Sequence, residues 1–224
     1  MSFAAHESAL RAGRFLHVIN YHVTPASQQR RLERELASYL THFDPVLPEH
    51  LDTYFTTGRW PLPRQGFVAA FYDGHREHAT VAAPVCERLG IRGWFLPVTG
   101  FLDCPVEQQR DYTDLHNLWT PDQPDADGRL ALTWDELARI GSRHVIAAHT
   151  AGHVPPTAVT TPPDVDRELQ APRARLAACA GTAPVAMAWG GGLPFDGEHV
   201  AFRAMQEAGY RYLVSATKVQ RIAS

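Results

Sequence analysis

Short apolar runs bounded by turn residues recur along the chain, and amphipathic segments separate them. Such runs are typical of buried strands. We therefore predict strands at seven places, of which the second has the weakest pattern: Phe15–Tyr21, Phe43–Leu47, Phe67–Phe71, Gly93–Val98, His144–Ala148, Pro184–Trp189 and Tyr210–Ser215.

The segments between these runs show helical periodicity. Capping signals support several of them, because Gly90 and Gly209 stand where a helix end favours a left-handed residue, and Thr133 with Glu136 forms a capping box. The predicted helices are Gln28–Leu40, Glu49–Thr56, His78–Leu89, Thr133–Ile140, Asp164–Ala178 and Gly197–Ala208.

The repeated order of strand and helix predicts parallel strands rather than hairpins. About six or seven such units favour a parallel barrel, in which the chemistry lies where strands end and loops begin. A chain of 224 residues has the ordinary size of one domain, so we assign residues 1–224 to a single domain.

Two segments interrupt the repeat. Phe101–Leu130 is rich in Asp, Pro and polar residues, and Val154–Pro163 is rich in Pro and Thr. Both are predicted to be long loops over the face of the domain where βα barrels have their chemistry. We expect them to cover the site, and the side chains most suited to ligand contact are Asp103, Tyr112, His116 and Trp119.

The overall composition narrows the class of partner. The formal charge is −3 and charged residues make up 20%, which favours neither nucleic acid nor an anionic membrane, so a small-molecule substrate is expected. No apolar run has the length of a signal peptide or a membrane span. The three cysteines form no CxxC pair, which fits a reducing compartment. We expect a cytoplasmic protein, and the composition leaves open whether it is a homo-oligomer.

Residues with metal-binding chemistry stand at the ends of two predicted strands. Asp73 follows the run that starts at Phe67, and His149 and His153 follow the run that ends at Ala148. In a parallel sheet these ends open onto one rim, and the i, i+4 spacing would bring both imidazoles to one side of a helical turn. Two imidazoles and a carboxylate are typical of a catalytic metal site, with zinc preferred and cobalt, nickel, manganese or iron as alternatives.

Each of these motifs has a simpler interpretation when it is taken alone. A lone HxxxH is more often a pair of surface histidines, and Asp73-Gly74 is a common turn dipeptide. Their convergence on one rim favours a metal site. Gly190–Gly192 lacks the spacing of a phosphate loop, and its functional interpretation is close approach of the backbone to a ligand at Gly191.

The order of the motifs resembles the polysaccharide deacetylase family, the NodB-homology carbohydrate esterases, over nearly the whole chain. The first family motif, T-F-D-D-G, aligns with Ala70–Gly74, and the second, H-[ST]-x-x-H, aligns with His149–His153. The resemblance implies an α/β fold, specifically a distorted (β/α)7 barrel of the NodB-homology type. It also implies a divalent metal held by Asp73, His149 and His153.

The chain departs from this family at its acid and base positions. Tyr72 stands where the family has the aspartate that acts as general base, and Ala186–Trp189 lacks the arginine that holds this aspartate in many members. No histidine follows His199, so the late motif with the family's acidic histidine is not recognisable. The candidates for a replacement base are His22, His75, Asp103 and Asp196.

The preferred hypothesis is a metal-dependent hydrolase, a deacetylase or related enzyme that cleaves carbon–nitrogen bonds in a small soluble substrate. Two alternatives stay open: a non-hydrolytic metal enzyme that uses Tyr72 for isomerisation, elimination or cyclisation, and a barrel that binds metal and ligand without turnover. The candidate catalytic residues are Tyr72, Asp73 and His75. The candidate substrate-binding residues are His22, Asp103, Trp119, Trp189 and Gly191.

Overall fold

Strands form at every apolar run that the pattern marks. The computed structural model describes residues 16–120, 128–193, 199–216 and 218–223. Within them, β2, β4, β5, β6 and β7 are shorter than predicted, β3 is longer, and β8 has no predicted counterpart. The strands are β1 (Leu16–Tyr21), β2 (Phe43–Pro45), β3 (Gln65–Asp73), β4 (Trp94–Pro97), β5 (Val145–Ile146), β6 (Ala186–Met187), β7 (Tyr212–Val214) and β8 (Val219–Arg221).

The helices lie between the strands, and most of them agree with the periodicity. A π-helical turn, His78–Ala82, leads into α3, and another, Asp166–Gln170, joins α7 to α8. The helices are α1 (Gln29–Leu40), α2 (Pro48–Thr57), α3 (Ala83–Arg88), α4 (Thr99–Asp103), α5 (Gln109–Leu115), α6 (Trp134–Gly141), α7 (Pro162–Val165), α8 (Ala171–Ala180) and α9 (Val200–Glu207).

The prediction of a long loop over Phe101–Leu130 is wrong in its first half, where α4 ends and α5 lies. Both helices are short, so periodicity gives little signal for them. Tertiary contacts hold them together instead, because the Phe101 ring is fully buried and stacks on the Tyr112 ring at a centroid distance of 5.7 Å. The segment after His153 agrees with the predicted loop except for a 3₁₀ turn, Pro156–Ala158, and the start of α7 at Pro162.

The strands form parallel ladders in a simple order. One sheet has the order β1-β3-β4-β5, and β2 pairs with the first residues of β3. A parallel bridge between Ala148 and Met187 connects the end of β5 with β6, which pairs in parallel with β7. β8 runs antiparallel to β7. The parallel order confirms the predicted α/β class and brings the C-terminal strand ends to one side.

Alternate strand residues build two apolar clusters. The outer cluster contains Phe67, Phe71 and Phe95 and includes apolar residues of the helices, such as Leu36 and Leu137. Because side chains alternate between the two faces of a strand, the other face forms a separate inner cluster. Its buried strand residues and their flanking positions are Val18, Val68, Ala70, Tyr72, Trp94, Leu96, Ala147, Ala186, Ala188, Tyr212 and Val214.

The first and last parallel strands approach each other. The side-chain amide of Asn20, in β1, donates to the carbonyl of Ala216, just after β7, at 2.5 Å. Val18 and Val214 also belong to the same inner cluster. Over the described ranges no backbone ladder joins β1 to β7. The two ends of the parallel strand order therefore lie close together without a ladder between them.

The remaining sequence features have a simple place in this fold. No helix of the described residues has both the length and the apolar composition that crossing a membrane requires. Cys86, Cys104 and Cys179 are free cysteines. Burial raises the pKa of the Cys86 thiol to about 12, which makes it an unreactive core residue.

The N-terminus of α6 tests the local interactions of the fold. Thr133 Oγ1 accepts a hydrogen bond from the Glu136 amide at 3.2 Å, and the Glu136 carboxylate accepts from the Thr133 amide at 2.8 Å, which confirms the predicted capping box. We expect Thr133→Ala to lower the free energy of unfolding by about 1 kcal/mol in chemical denaturation, because the Glu136 amide loses its partner. Thr53→Ala, on the exposed face of α2, is the control, and an equal loss in this variant would contradict the assignment.

Candidate active site

Asp73 is the last residue of β3, and its backbone is turned sharply at this point. Its φ of 76° lies in the left-handed region, which is costly for a residue other than glycine, and Gly74 follows with a φ of 87°. A Cβ atom on Gly74 would come within 2.8 Å of Leu102 Cδ1 and 3.0 Å of Pro97 Cβ. The Asp-Gly pair therefore turns the chain in a confined space and fixes where the carboxylate lies.

His149 and His153 lie on a tight turn rather than on the helical turn that their spacing suggested. Thr150 and His153 have φ values of 57° and 54°, which a right-handed helix excludes. The buried carboxylate of Glu168 holds this turn, because its Oε2 accepts hydrogen bonds from the amides of Ala151 at 3.0 Å and Gly152 at 2.8 Å. The i, i+4 rule for helices is thus wrong here, although both imidazoles do reach the same site.

Two residues of the first irregular segment support the same turn. The Tyr112 hydroxyl donates to the Ala151 carbonyl at 3.0 Å, and His116 Nδ1 donates to the Gly152 carbonyl at 2.7 Å. Both were expected to contact the ligand, but neither lines the cavity described below. Their contribution to the site is to hold the backbone that carries the two histidines.

Backbone hydrogen bonds orient both imidazole rings. His149 Nδ1 lies 3.0 Å from the Ala188 carbonyl, and His153 Nδ1 lies 2.8 Å from the His116 carbonyl. A carbonyl oxygen accepts only, so each Nδ1 carries the proton and each Nε2 keeps a lone pair. This is the tautomer that a metal-ligating histidine needs.

The three side chains converge on one point. One ligand atom from each of Asp73, His149 and His153 lies within 4.8 Å of the others, and His149 Nε2 is 3.6 Å from Asp73 Oδ1. Asp73 Oδ1 is buried and has no hydrogen-bond partner among the described residues. A buried carboxylate oxygen without a partner is costly, and a bound cation would remove that cost. The donor set therefore fits a divalent metal ion.

The titration of these groups agrees with this role. Burial alone would raise the pKa of Asp73, but the hydrogen bond from His75 and the nearby His149 lower it below its usual range, so the group is a carboxylate. Burial, and then the neighbouring His153, lower the pKa of His149 to about 4. His149 is therefore neutral at pH 7, as a metal ligand must be.

His75 lies behind the carboxylate, away from the cavity. Its ring is completely buried, and its Nε2 is 3.4 Å from Asp73 Oδ2. It therefore contacts a proposed ligand and lacks the access to substrate that its candidacy as a catalytic residue requires. His78 is also completely buried, and its Nε2 donates to the carbonyl of His22 at 2.6 Å.

A cavity of about 260 Å³ is lined by two of the three converging side chains, His149 and His153. Of the candidate substrate-binding residues, His22, Trp119, Trp189 and Gly191 line it and Asp103 does not. Tyr72, His149 and His153, which the sequence motifs identified, also line it, whereas the sequence patterns did not single out Asn20, Asn117, Gly192 or Ala216. The full lining is Asn20, His22, Tyr72, Asn117, Trp119, His149, His153, Trp189, Gly191, Gly192 and Ala216.

Tyr72 lies between two histidine rings at this cavity. The Tyr72 ring stacks on His22 at 5.4 Å and meets His149 edge-on at 5.3 Å. Its hydroxyl is buried and has no hydrogen-bond partner in the described part of the chain. Burial, and then the Asp73 carboxylate, raise the pKa of Tyr72 above its usual value, so the phenol keeps its proton.

Asp103 is committed elsewhere, which corrects its assignment to substrate binding. Its carboxylate forms an ion pair with Arg175 and accepts a hydrogen bond from Trp134 Nε1 at 2.9 Å. It thereby joins α4 to α6 and α8. Asp196, another candidate base, lies outside the described residues.

The lining residues combine predictable and unpredictable positions. Asn20, Gly192 and Ala216 stand close to predicted strand ends, so a wider window around those ends would have included them. Asn117 lies 44 positions after Asp73 in an irregular segment, and only its φ of 52° in the structure distinguishes it. Trp189 borders the cavity, but its ring belongs to the outer cluster and contacts the ring of Phe202.

Structural comparison finds deacetylases with this fold. The de-N-acetylase of Aggregatibacter actinomycetemcomitans has a TM-score of 0.67 at 18% sequence identity, over 92% of this chain and 90% of that chain. The Streptococcus pyogenes deacetylase PplD, in complex with acetate, has a TM-score of 0.63 at 14% identity, over 87% and 80%. A polysaccharide deacetylase from Bacillus cereus has a TM-score of 0.61 at 13% identity, over 92% and 60%.

These likenesses concern the fold. No family model and no curated protein matches the sequence. At identities between 13% and 18%, the comparison shows that the chain has the fold of the polysaccharide deacetylases. It therefore confirms the fold that the two motifs imply and leaves the chemistry to be argued from the site itself.

Metal content gives the direct test of the three ligands. We expect His149→Ala and His153→Ala each to abolish stoichiometric binding of zinc or a neighbouring divalent metal, because two remaining ligands hold such an ion weakly. Elemental analysis after dialysis measures the bound metal. His42→Ala removes an exposed histidine and should keep full occupancy. Full occupancy in both ligand variants would show that the ion binds elsewhere.

Glu168 provides a second test, since it holds the turn and is not one of the three proposed metal ligands. We expect Glu168→Gln to weaken metal binding by about 10-fold or more, because the turn loses a charge-assisted acceptor for two amides. Isothermal titration calorimetry measures the affinity. Glu207→Gln, on the exposed face of α9, is the matched control. Equal metal affinity in the two variants would mean that the turn does not depend on Glu168.

Proposed function

We propose that this chain is a metal-dependent hydrolase that cleaves the carbon–nitrogen bond of an acylated amine, most simply an acetylated one. The observation that carries the proposal is the convergence of Asp73, His149 and His153 on one side of an open cavity, with both imidazole lone pairs free. Three protein ligands with open positions are typical of catalytic rather than structural metal sites.

A divalent ion at this site would polarise the acyl carbonyl and lower the pKa of a water molecule toward neutrality. Asp73, His149 and His153 would hold it, with zinc preferred and cobalt, nickel, manganese or iron compatible with the same donors. The deacetylases that share the fold support acyl transfer to water as the reaction class, and one of them is described with acetate bound.

The cavity favours a small, uncharged acyl compound or one residue of a larger molecule. At about 260 Å³ it is near the lower end of ligand pockets. Its described lining contains no Lys, Arg, Asp or Glu side chain, and three aromatic residues border it. Selection would then depend on shape, ring stacking and the amides of Asn20 and Asn117 rather than on charge.

Tyr72 takes the place of the family's general base, and its chemistry differs from that of a carboxylate. A phenol has a reference pKa of about 10 and is a hydrogen-bond donor at neutral pH. The Tyr72 hydroxyl lacks a partner in the described structure, so it is available to donate to a substrate oxygen or to water. We propose that it stabilises negative charge that develops on an oxygen in the cavity.

The neutral phenol is also compatible with one alternative function. A metal with a protonated tyrosine can polarise a carbonyl or hydroxyl for isomerisation, elimination or cyclisation without hydrolysis. Mass spectrometry of the products separates the two proposals, since hydrolysis adds one water to the substrate and releases the acyl group. Acetate release from N-acetyl substrates supports the hydrolase, and turnover with unchanged total mass supports the alternative.

The Tyr72 hydroxyl can be tested with the smallest substitution. We expect Tyr72→Phe to lower the turnover number by on the order of 10²-fold, with metal content unchanged, because the donor is lost while the ring stays in place. Steady-state kinetics and elemental analysis measure the two quantities. Wild-type turnover in Tyr72→Phe would show that the hydroxyl has no part in the reaction and that Tyr72 only lines the cavity.

Tyr72→Asp is the complementary variant. It restores the carboxylate of the resembling family next to Asp73, although Ala186–Trp189 supplies no arginine to hold it. If the hydrolase proposal is right, acetyl-ester or acetyl-amide hydrolysis should appear or rise in this variant relative to Tyr72→Phe. Equal activity in the two variants would show that a carboxylate at this position gives no advantage.

A further inference from the structure

The geometry points to His22 as the group that carries a proton between the attacking water and the leaving nitrogen. This inference rests on the proposed function, because it concerns the hydrolysis of an acylated amine in the same cavity. It assigns to a residue just after β1 the acid–base chemistry that the chain lacks at position 72 and after His199.

His22 lies at the cavity. It follows β1 at one end of the strand order β1-β3-β4-β5, whereas the ligand turn, His149–His153, follows β5 at the other end. His22 lines the cavity, stacks its ring on Tyr72 at 5.4 Å and contacts the Trp119 ring at 5.9 Å. These contacts use the faces of the imidazole. The ring is thereby positioned without hydrogen bonds to its nitrogens.

His22 differs from the other histidines near the cavity in the hydrogen bonding of its ring nitrogens. Across the described ranges, neither ring nitrogen of His22 has a hydrogen-bond partner, whereas His149 and His153 each use Nδ1 to orient the ring. His75 uses Nε2 on Asp73, and His78 uses Nε2 on a backbone carbonyl. A ring with both nitrogens free beside a cavity can accept a proton at one and still meet a substrate.

The backbone of His22 is anchored from behind. His78 is completely buried, and its Nε2 donates to the His22 carbonyl at 2.6 Å. Two residues earlier, Asn20 binds the Ala216 carbonyl across the rim. A side chain on backbone held at two points, with its ring stacked, has the fixed position that proton transfer requires.

The other replacements considered from the sequence are less suitable. His75 is enclosed and bonded to Asp73, so it has no path to a substrate. Asp103 is paired with Arg175 away from the cavity. Among the candidates that the structure describes, His22 alone lines the cavity.

The proton balance of the step is simple. The neutral imidazole of His22 accepts a proton from water as the water oxygen bonds to the acyl carbon. The resulting imidazolium donates that proton to the nitrogen as the carbon–nitrogen bond breaks. Amide and water become a carboxylic acid and an amine, and His22 returns to its neutral form without any other reactant.

The sharpest test compares two leaving groups in His22→Gln. An alkyl amide needs a proton on its leaving nitrogen, whereas an aryl acetate leaves as a stable phenolate. We expect the variant to lose about 10²-fold or more in kcat/KM on an N-acetyl alkylamine and to lose clearly less on the aryl acetate, which still needs a base for the attacking water but needs no proton on its leaving group. Metal content should equal that of the wild type.

Two further measurements separate proton transfer from a structural role. Added imidazole should restore part of the amide hydrolysis in His22→Ala, because a free base can enter the vacated space. In the metal-free wild type, diethyl pyrocarbonate should modify His22 and leave the enclosed His75 and His78 unmodified, as measured by peptide mass spectrometry.

Several outcomes would overturn the inference. Equal losses on both substrates would contradict proton transfer from His22 to the leaving nitrogen, and no rescue by imidazole would show that His22 only binds or positions substrate. Unchanged amide hydrolysis in His22→Gln would remove it from the reaction. If the metal-loaded wild type hydrolyses neither substrate and releases no acetate, the proposed function itself fails and this inference fails with it.

Discussion

The buried carboxylate of Asp73 is the constraint on which the rest of the site depends. A charge at this depth is stable only when opposite charge or hydrogen bonds compensate it. One oxygen faces His75 at 3.4 Å, and the other faces His149 Nε2 at 3.6 Å without a hydrogen bond. The structure thus provides a partner for half of the carboxylate and leaves the other half directed at the point where two imidazole lone pairs meet. A cation at that point would complete the compensation.

Meeting this constraint requires unusual backbone conformations. The non-glycine residues with left-handed φ in the described structure are Asp73, Asn117, Thr150 and His153, and all four belong to the ligand set, its turn or the cavity wall. Such conformations persist only where the surroundings hold them. Here Glu168, Tyr112 and His116 provide the hydrogen bonds. Tyr112 and His116 belong to Phe101–Leu130, so this segment, which interrupts the βα repeat, serves to hold the ligand turn.

The cavity combines a possible metal-binding triad with a tyrosine at position 72. Tyr72 stands at the sequence position that aligns with a carboxylate in the resembling family, and it packs between His22 and His149. A carboxylate at the same place would need its own compensation, which Ala186–Trp189 does not supply. A neutral phenol fits a wall of alanines and aromatic rings without that cost.

The sequence alone determined the strand and helix order, the parallel class and the three residues that converge, because apolar periodicity and strand ends depend on local pattern. It failed at α4 and α5, at the turn between His149 and His153, and at Asp103. Each of these depends on partners distant in the chain: the Phe101–Tyr112 stack, the Glu168 carboxylate and the Arg175 guanidinium. It also left His22 and His75 equivalent as candidates. Only the tertiary structure separates them, because whether an imidazole is enclosed or borders a cavity is decided by packing across the barrel.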